Sequence, residues 1–188
     1  MEPSDDDLIA ASAAGDRDAF GALYRRRRAD VYRFALHMTG SHSIAEDIAQ
    51  EVFLVVMRDA GRYRAGQSAC VPWLLGIARN YARRHAAQRI WDPLPAAGER
   101  AAADPDPLVH DEELARLRAA LLALPRRYRE VIVLCELQEL PYVDAARVIG
   151  CAVGTVRSRL NRGKARLAAT VRRAIACERS GRVPKWLL

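Results

Sequence analysis

Aromatic residues are scarce: Trp, Tyr and Phe make up 6% of the 188 residues, and the apolar half of the chain is mostly Ala, Leu, Val and Ile. Ala, Leu and Arg dominate, and no stretch sustains two-residue alternation, so the composition argues against sheets and predicts an all-α protein. No apolar run reaches the roughly 18 residues needed to span a bilayer, which excludes helical membrane insertion. The opening MEPSDDDLIAA is acidic and polar, unlike a secretory signal. Cys70, Cys135, Cys151 and Cys177 stand far apart, with no Cys-x-x-Cys pair and no Cys/His cluster at metal spacing. That predicts reduced thiols in a cytoplasmic protein, with no disulfide, metal or cofactor. Acidic residues are missing from two long stretches, Arg62 to Arg89 and Ala145 to Cys177, and the second holds eight Lys or Arg. The net charge of +7 favours a polyanionic partner.

What is present is clearest between Pro141 and Leu167. Pro141 suits the first position of a helix, and Ala145, Ala146, Val148 and Ile149 give that helix an apolar face. Gly150 stands where the chain must reverse, since glycine takes a left-handed conformation without penalty. Val153, Val156, Leu160 and Leu167 then fall on one stripe of a second helix. The small Ala146 allows close crossing, Gly150 makes the turn and Val156 packs back: a helix-turn-helix. The opposite face carries Thr155, Arg157, Ser158, Arg159, Asn161, Arg162, Lys164 and Arg166. A helix so charged fits the DNA major groove, where Arg pairs with guanine edges and Ser, Thr and Asn read others. A solvated basic helix is the plainer reading. One-sided charge on a glycine-turned helix pair, with no acid for about thirty residues, outweighs it.

Upstream, Ser4 caps a short helix whose first turn holds Asp5, Asp6 and Asp7. A longer helix follows from Asp18 to Met38, interrupted by four consecutive charges, Arg25 to Arg28, which are read as solvated with some ion pairing. Ser43 is expected to cap the next helix, with Glu46 completing a capping box. On that helix Ile44, Ile48, Val52, Val55 and Val56 form an apolar face with Phe53 and Met57 alongside, while Asp47, Gln50, Glu51, Phe53 and Leu54 lie at its other edge. An acidic edge with exposed apolar neighbours is either a solvated surface paired with Arg25 to Arg28 or a docking site for a basic protein. A loop over Gly61 to Pro72 leads into a second basic helix, Trp73 to Ile90, with Arg79, Asn80, Arg83, Arg84 and Arg89 expected outward. Tyr63 and Trp73 bracket the loop. Aromatic rings beside arginines suit unstacked, single-stranded bases, though Trp73 could equally be core.

The composition then shifts. Asp92 to Glu113 holds four prolines and seven acids against one Arg, a spacing no helix survives. It reads as an acidic, Pro-rich linker between two small helical domains. The expected division is 1–91, a linker at 92–110, a second domain at 111–178 ending in the helix-turn-helix, and a tail at 179–188. The second domain opens with a helix from Asp111 to Leu124, broken at Pro125, and another element from Arg126 to Leu137.

Four blocks, AEDIAQEVF (Ala45–Phe53), WLLGIARNYARRH (Trp73–His85), ALPRRYREVIVL (Ala123–Leu134) and VGTVRSRLNRGKARL (Val153–Leu167), resemble the extracytoplasmic-function sigma factors of the sigma-70 superfamily. The resemblance spans nearly the whole chain, in the family's order. It implies that Asp47, Ile48, Gln50, Glu51, Val52 and Phe53 dock on the beta-prime clamp helices of core RNA polymerase. It implies that Tyr63, Trp73, Arg79, Asn80, Arg83 and Arg84 read the −10 promoter element, and that Thr155, Arg157, Ser158, Arg159, Arg162 and Lys164 read the −35 element. The acidic linker would thread the polymerase cleft, and an anti-sigma factor is a further partner that the family allows. Two departures stand out. Gln67 to Trp73 lacks the aromatic and basic residues usual before the second basic helix, and Pro141 replaces the usual Ser before Tyr142.

The same features could serve a conventional helix-turn-helix regulator, which would bind its operator without polymerase. Such a protein needs a dimer seam or a sensor pocket, and the sequence shows neither a heptad nor a ligand motif. A nucleic-acid enzyme would need converging carboxylates. Asp47 and Glu51 are four apart, but no second acidic cluster meets them, so no catalytic role is expected.

Overall fold

The computed structural model describes residues 2–64, 69–91 and 112–179, and among these every regular element is helical. The helices are α1 (Asp5–Ala13), α2 (Arg17–Thr39), α3 (His42–Asp59), α4 (Cys70–Trp91), α5 (Glu112–Leu122), α6 (Arg126–Ile132), α7 (Tyr142–Ile149) and α8 (Val153–Arg179). The all-α expectation holds. The linker at 92–110, most of the 179–188 tail and residues 65–68 of the loop lie outside the described residues.

Local chemistry explains most of the helix ends. The Ser4 Oγ accepts from the Asp7 N–H at 3.2 Å while the Asp7 carboxylate accepts from the Ser4 N–H at 3.0 Å, a reciprocal cap for α1. The Asp5 carboxylate also receives Arg26 at 3.0 Å and Arg27 at 2.6 Å, so α1 is tied onto α2 by two of the four consecutive arginines. Asp16 caps α2, accepting from the Asp18 and Ala19 amides at 2.9 and 3.0 Å. Gly40, at φ 76°, ends α2 and turns the chain at once into α3. That tight turn makes Ser41, not Ser43, the cap of α3. The Ile44 N–H donates to the Ser41 Oγ, and the expected Ser43–Glu46 box does not form.

The C-terminal half departs from its sequence reading in two details. Arg126 to Leu137 is one continuous element, but its last turn, Val133–Leu137, widens to a π-helix, with the Gln138 N–H reaching back to the Val133 carbonyl at 2.9 Å. Pro141 caps α7 from outside, in an extended conformation, and the helix starts at Tyr142.

Leu23, Val31, Phe34, Ile48, Val52 and Val56 fill the core of α1–α4, and Val131, Leu134, Val156 and Leu160 that of α5–α8; each is at most 2% exposed. The two groups pack directly on one another in a continuous apolar cluster. Leu122 of α5 lies against Gly40, where a Cβ would stand 2.8 Å from its Cδ1. Arg129 of α6 donates to the Met38 carbonyl at the C-terminus of α2, at 2.7 Å, and to the carbonyls of Leu122 and Leu124. The Gln138 side chain donates to the Asp30 carbonyl at 3.3 Å, and α4 packs on α7.

Candidate nucleic-acid and protein interfaces

The helix-turn-helix is α7, the turn at Gly150 and α8. Gly150 has φ 75° and its N–H donates to the Ala146 carbonyl at 2.8 Å, as the sequence spacing requires. Val156 and Leu160 are buried beneath, and Ala145, Ala146 and Ile149 meet them from α7. The expected contact face is largely free of the core: Arg157, Ser158, Arg162 and Lys164 are exposed, and Thr155 and Arg159 are half-buried at its edges. Arg157 stands 6.0 Å above the Tyr142 ring. The Lys164 ammonium lies 2.8 Å from the Glu136 carboxylate, and that hydrogen bond raises its pKa. The Ser158 hydroxyl donates to the Thr155 carbonyl of its own helix. Among the expected contact residues, Arg157 and Arg162 are thus exposed cations with no carboxylate paired to them among the described residues. Gly163, absent from the sequence reading, is buried where α8 crosses α6: a Cβ there would meet the Ile132 Cδ1 at 3.1 Å.

On α4, Asn80, Arg83 and Arg84 are exposed, with Arg84 over the Tyr81 ring at 5.5 Å. Tyr63 and Trp73 are half-buried and touch, their ring centroids 5.1 Å apart. The Tyr63 hydroxyl donates to Asp6 at 2.5 Å; burial first, then that bond, pushes its pKa well up. Tyr63 thus fastens the start of the loop to α1. Trp73 and Asn80 also line an open cleft between α4 and α7, facing Arg147 and Val148. Arg79 corrects the sequence expectation. Its side chain is 11% exposed, not outward, and lies against Glu130 of α6 with Nε 3.3 Å from Oε1. Helical periodicity placed Arg79 beside Asn80 and Arg83 but could not show that α6 covers that flank.

On α3, Asp47, Gln50 and Glu51 are exposed. Ile48, Val52 and Phe53 are at most 3% exposed, so the expectation that they present an accessible surface is corrected. Phe53 sits edge-on to Tyr24, 4.9 Å between centroids, with Phe20 at 6.4 Å. The exposed apolar residues beside the acids are instead Leu54 (42%) and Met57 (61%). Asp47, Gln50, Leu54 and Met57 recur at helical spacing, so the signal for Met57 was present, one turn beyond the acidic edge. With Phe20, Tyr24 and Arg25 of α2, the Gln50–Met57 end of this stripe lines a shallow groove.

Among the described residues no three His, Cys, Asp or Glu side chains converge as metal ligands. Burial pushes the Cys70 thiol up to about 12 and the Cys135 thiol up to about 11, away from thiolate chemistry. No described helix is long and apolar enough to cross a membrane.

The chain matches the family model of Sigma-70 region 2 over residues 23–91 and that of Sigma-70 region 4 over residues 114–167. It is 37% identical over 180 residues to the ECF RNA polymerase sigma factor SigE of Mycolicibacterium smegmatis, covering 89% of this chain and 69% of that one. It is 34% identical over 174 residues to the ECF sigma factor SigM of Mycobacterium tuberculosis, covering 89% and 84%. Its fold superposes on the sigma factor RpoE of Bartonella quintana, solved with the anti-sigma factor NepR, at a TM-score of 0.70 and 26% identity, covering 81% of this chain and 96% of that one. The two basic helical faces and the acidic α3 stripe fall within those matched regions, and the chain belongs to the extracytoplasmic-function RNA polymerase sigma factors of the sigma-70 family.

Proposed function

We propose that this sigma factor works through three separate faces, in the cytoplasm and without catalytic chemistry of its own. The α3 stripe of Asp47, Gln50 and Glu51, continued by Leu54 and Met57, docks on the clamp helices of core RNA polymerase. Tyr63, Trp73, Asn80, Arg83 and Arg84 meet the −10 element as it melts. Arg157 and Arg162, with Thr155, Ser158, Arg159 and Lys164 around them, meet the −35 element in the major groove. Residues 1–91 and 111–178 serve as the polymerase/−10 unit and the −35 unit, with 92–110 linking them and 179–188 as a tail. An anti-sigma factor is the third partner proposed, after DNA and polymerase.

One observation carries this reading: α3 exposes Asp47 and Glu51 beside Leu54 and Met57, while the exposed Arg83 and Arg84 of α4 and Arg157 and Arg162 of α8 stand in the two stretches, 62–89 and 145–177, that hold no acid. Like charge repels DNA from the first face and opposite charge draws it to the other two. Aromatic rings beside arginine stack on splayed bases, and an arginine fork pairs with a guanine edge. The test is promoter-directed transcription with purified core polymerase. Asp47→Lys with Glu51→Lys is expected to lower polymerase binding and transcription about tenfold or more, while melting shifts little, because both side chains are exposed and only the Glu51 bond from the half-buried Tyr81 is lost. Undiminished transcription would remove α3 from the polymerase interface.

A further inference from the structure

The first turn of α1 holds three consecutive carboxylates, and each has a different partner. Asp7 closes the cap with Ser4, and Asp5 takes Arg26 and Arg27 of α2. Asp6 reaches 57 residues along the chain, where its Oδ1 accepts from the Tyr63 hydroxyl at 2.5 Å. No acid stands between Arg62 and Arg89, so a carboxylate beside Tyr63 has to come from another element. Tyr63 follows a short 3-10 turn, Ala60–Arg62, and its N–H donates to the Ala60 carbonyl at 3.0 Å. The residue is thus pinned at both ends, by its own backbone turn at one and by α1 at the other. Between those points its ring meets Trp73, 5.1 Å between centroids and tilted by 53°. Cys70, the first residue of α4, is buried, and after burial the charges of Asp5, Arg27, Asp6 and Arg26 act on its thiol. The start of α1 therefore lies beside both Tyr63 and the start of the helix that carries Trp73.

A phenol donating to a carboxylate makes a charge-assisted bond, shorter and roughly twice as strong as a neutral one. This bond acts at the far end of the side chain, so it fixes the tilt of the ring, which the backbone does not. Bases stack on aromatic faces whatever their identity, and a ring already in place does not have to be ordered when the base arrives. Immobilising one such side chain on binding costs about two- to tenfold in affinity, and the cost falls away where the free protein already holds it. A carboxylate also repels DNA. It is an unfavourable neighbour for a base-binding ring unless it does something for that ring.

We propose that Asp6 is a positioning residue for promoter melting: through the Tyr63 hydroxyl it holds the Tyr63 ring against Trp73, in the orientation that receives a base from the splayed −10 strand. This role rests on the reading of Tyr63 and Trp73 as a pair that meets that strand. Asp6 itself touches no base. Asp5, tied to Arg26 and Arg27, keeps α1 fixed to α2, so the tilt of the ring is referred to the body of the domain.

The test is promoter opening by holoenzyme assembled with core polymerase, on a promoter it transcribes, resolved into initial binding and rate of opening by varying the holoenzyme concentration. Tyr63→Phe keeps the ring and removes the bond. It is expected to slow opening about two- to tenfold and to leave initial binding unchanged, because the ring is needed only once a base is splayed. Asp6→Ala should slow opening as much, and Asp6→Asn, which keeps an acceptor for the hydroxyl, should recover most of the rate. Combining Asp6→Ala with Tyr63→Phe should add nothing, since all three variants lose one interaction. Tyr63→Ala takes the ring as well and should open more slowly still. Opening of Tyr63→Phe at the wild-type rate while Tyr63→Ala is slow would overturn the positioning role and keep the ring pair at the −10 strand. Tyr63→Ala at the wild-type rate would remove the ring from the −10 strand altogether, and the role of Asp6 with it. A loss confined to initial binding would overturn the proposal too, leaving the bond a staple of the fold. Should Asp6→Ala fail to fold, Tyr63→Phe decides, since it takes nothing from the α1 cap.

Discussion

Glu139 carries a positive φ, 52°, and among the described residues no other non-glycine does. The cause is local. The π-turn that ends at Leu137 leaves Gln138 bonded back to Val133, and the Leu140 N–H must still reach the Leu134 carbonyl at 2.9 Å before Pro141 starts the next cap. One residue has to turn left-handed to make both bonds, and position 139 does. A side chain there crowds its own backbone by about 1–2 kcal/mol, whereas glycine adopts the angle freely at some entropic cost in the unfolded chain. Glu139→Gly is therefore expected to stabilise the protein by about 0.5–1 kcal/mol. The check is an upward shift of the urea midpoint at constant slope. A lower midpoint would mean that the exposed Glu139 side chain contributes more than its backbone strain removes. Gly150, at φ 75°, already has the residue its turn requires.

At the scale of elements, α8 shows how a single helix face divides its labour. Arg157 is exposed beyond the Tyr142 ring, while Lys164, two turns further along, is held by Glu136. Arg157→Ala is expected to cost about 1–3 kcal/mol on a cognate −35 sequence and much less on a scrambled one. Lys164→Ala is expected to cost less, equally on both sequences, because binding DNA through this ammonium also means losing Glu136. Titrations on the two duplexes at two salt concentrations separate the cases. Equal losses for Arg157→Ala on both duplexes would reassign it to a phosphate. The contrast also marks how far sequence reasoning reaches. Gly150, Val156 and Leu160 were legible because a turn and a 3.6-residue stripe are properties of one segment. Arg79, Phe53 and Gly163 were not, because each depends on a second helix: α6 over Arg79, α2 over Phe53, and α6 again over Gly163. Periodicity assigns a face without naming its neighbour. Ser41 was missed as the cap of α3 for a related reason. The capping box at Ser43 and Glu46 is a sound local signal, but the left-handed Gly40 had already turned the chain three residues earlier.

Across the whole molecule, the seam between α1–α4 and α5–α8 is rich in half-buried arginines. Arg79, Arg126 and Arg129 meet there with Glu130, and Arg118 of α5 lines a small pocket with His37, Gly40 and His42. His37 sits in the last turn of α2, where the helix dipole favours a charged imidazole. Burial opposes it more strongly, and Arg118 across the seam and Arg33 on its own helix add to that, so its pKa falls below the ordinary 6.5. His42, the other imidazole at this pocket, is engaged at Nδ1 by the Tyr32 hydroxyl at 2.5 Å. The sign follows from linkage. The packed state holds His37 neutral, and the unfolded chain takes up the proton first. Stability is therefore full above pH 6.5, falls as the pH drops from there to the lowered value, and is flat below it. Protonation also places a new cation against Arg118, so the loss should begin at the seam. His37→Gln removes the titration while keeping a polar side chain of similar reach. Melting and scattering between about pH 8 and pH 5 should show wild type losing stability and compactness on acidification, and His37→Gln losing much less of either. Identical acid profiles for the two proteins would remove His37 as the cause.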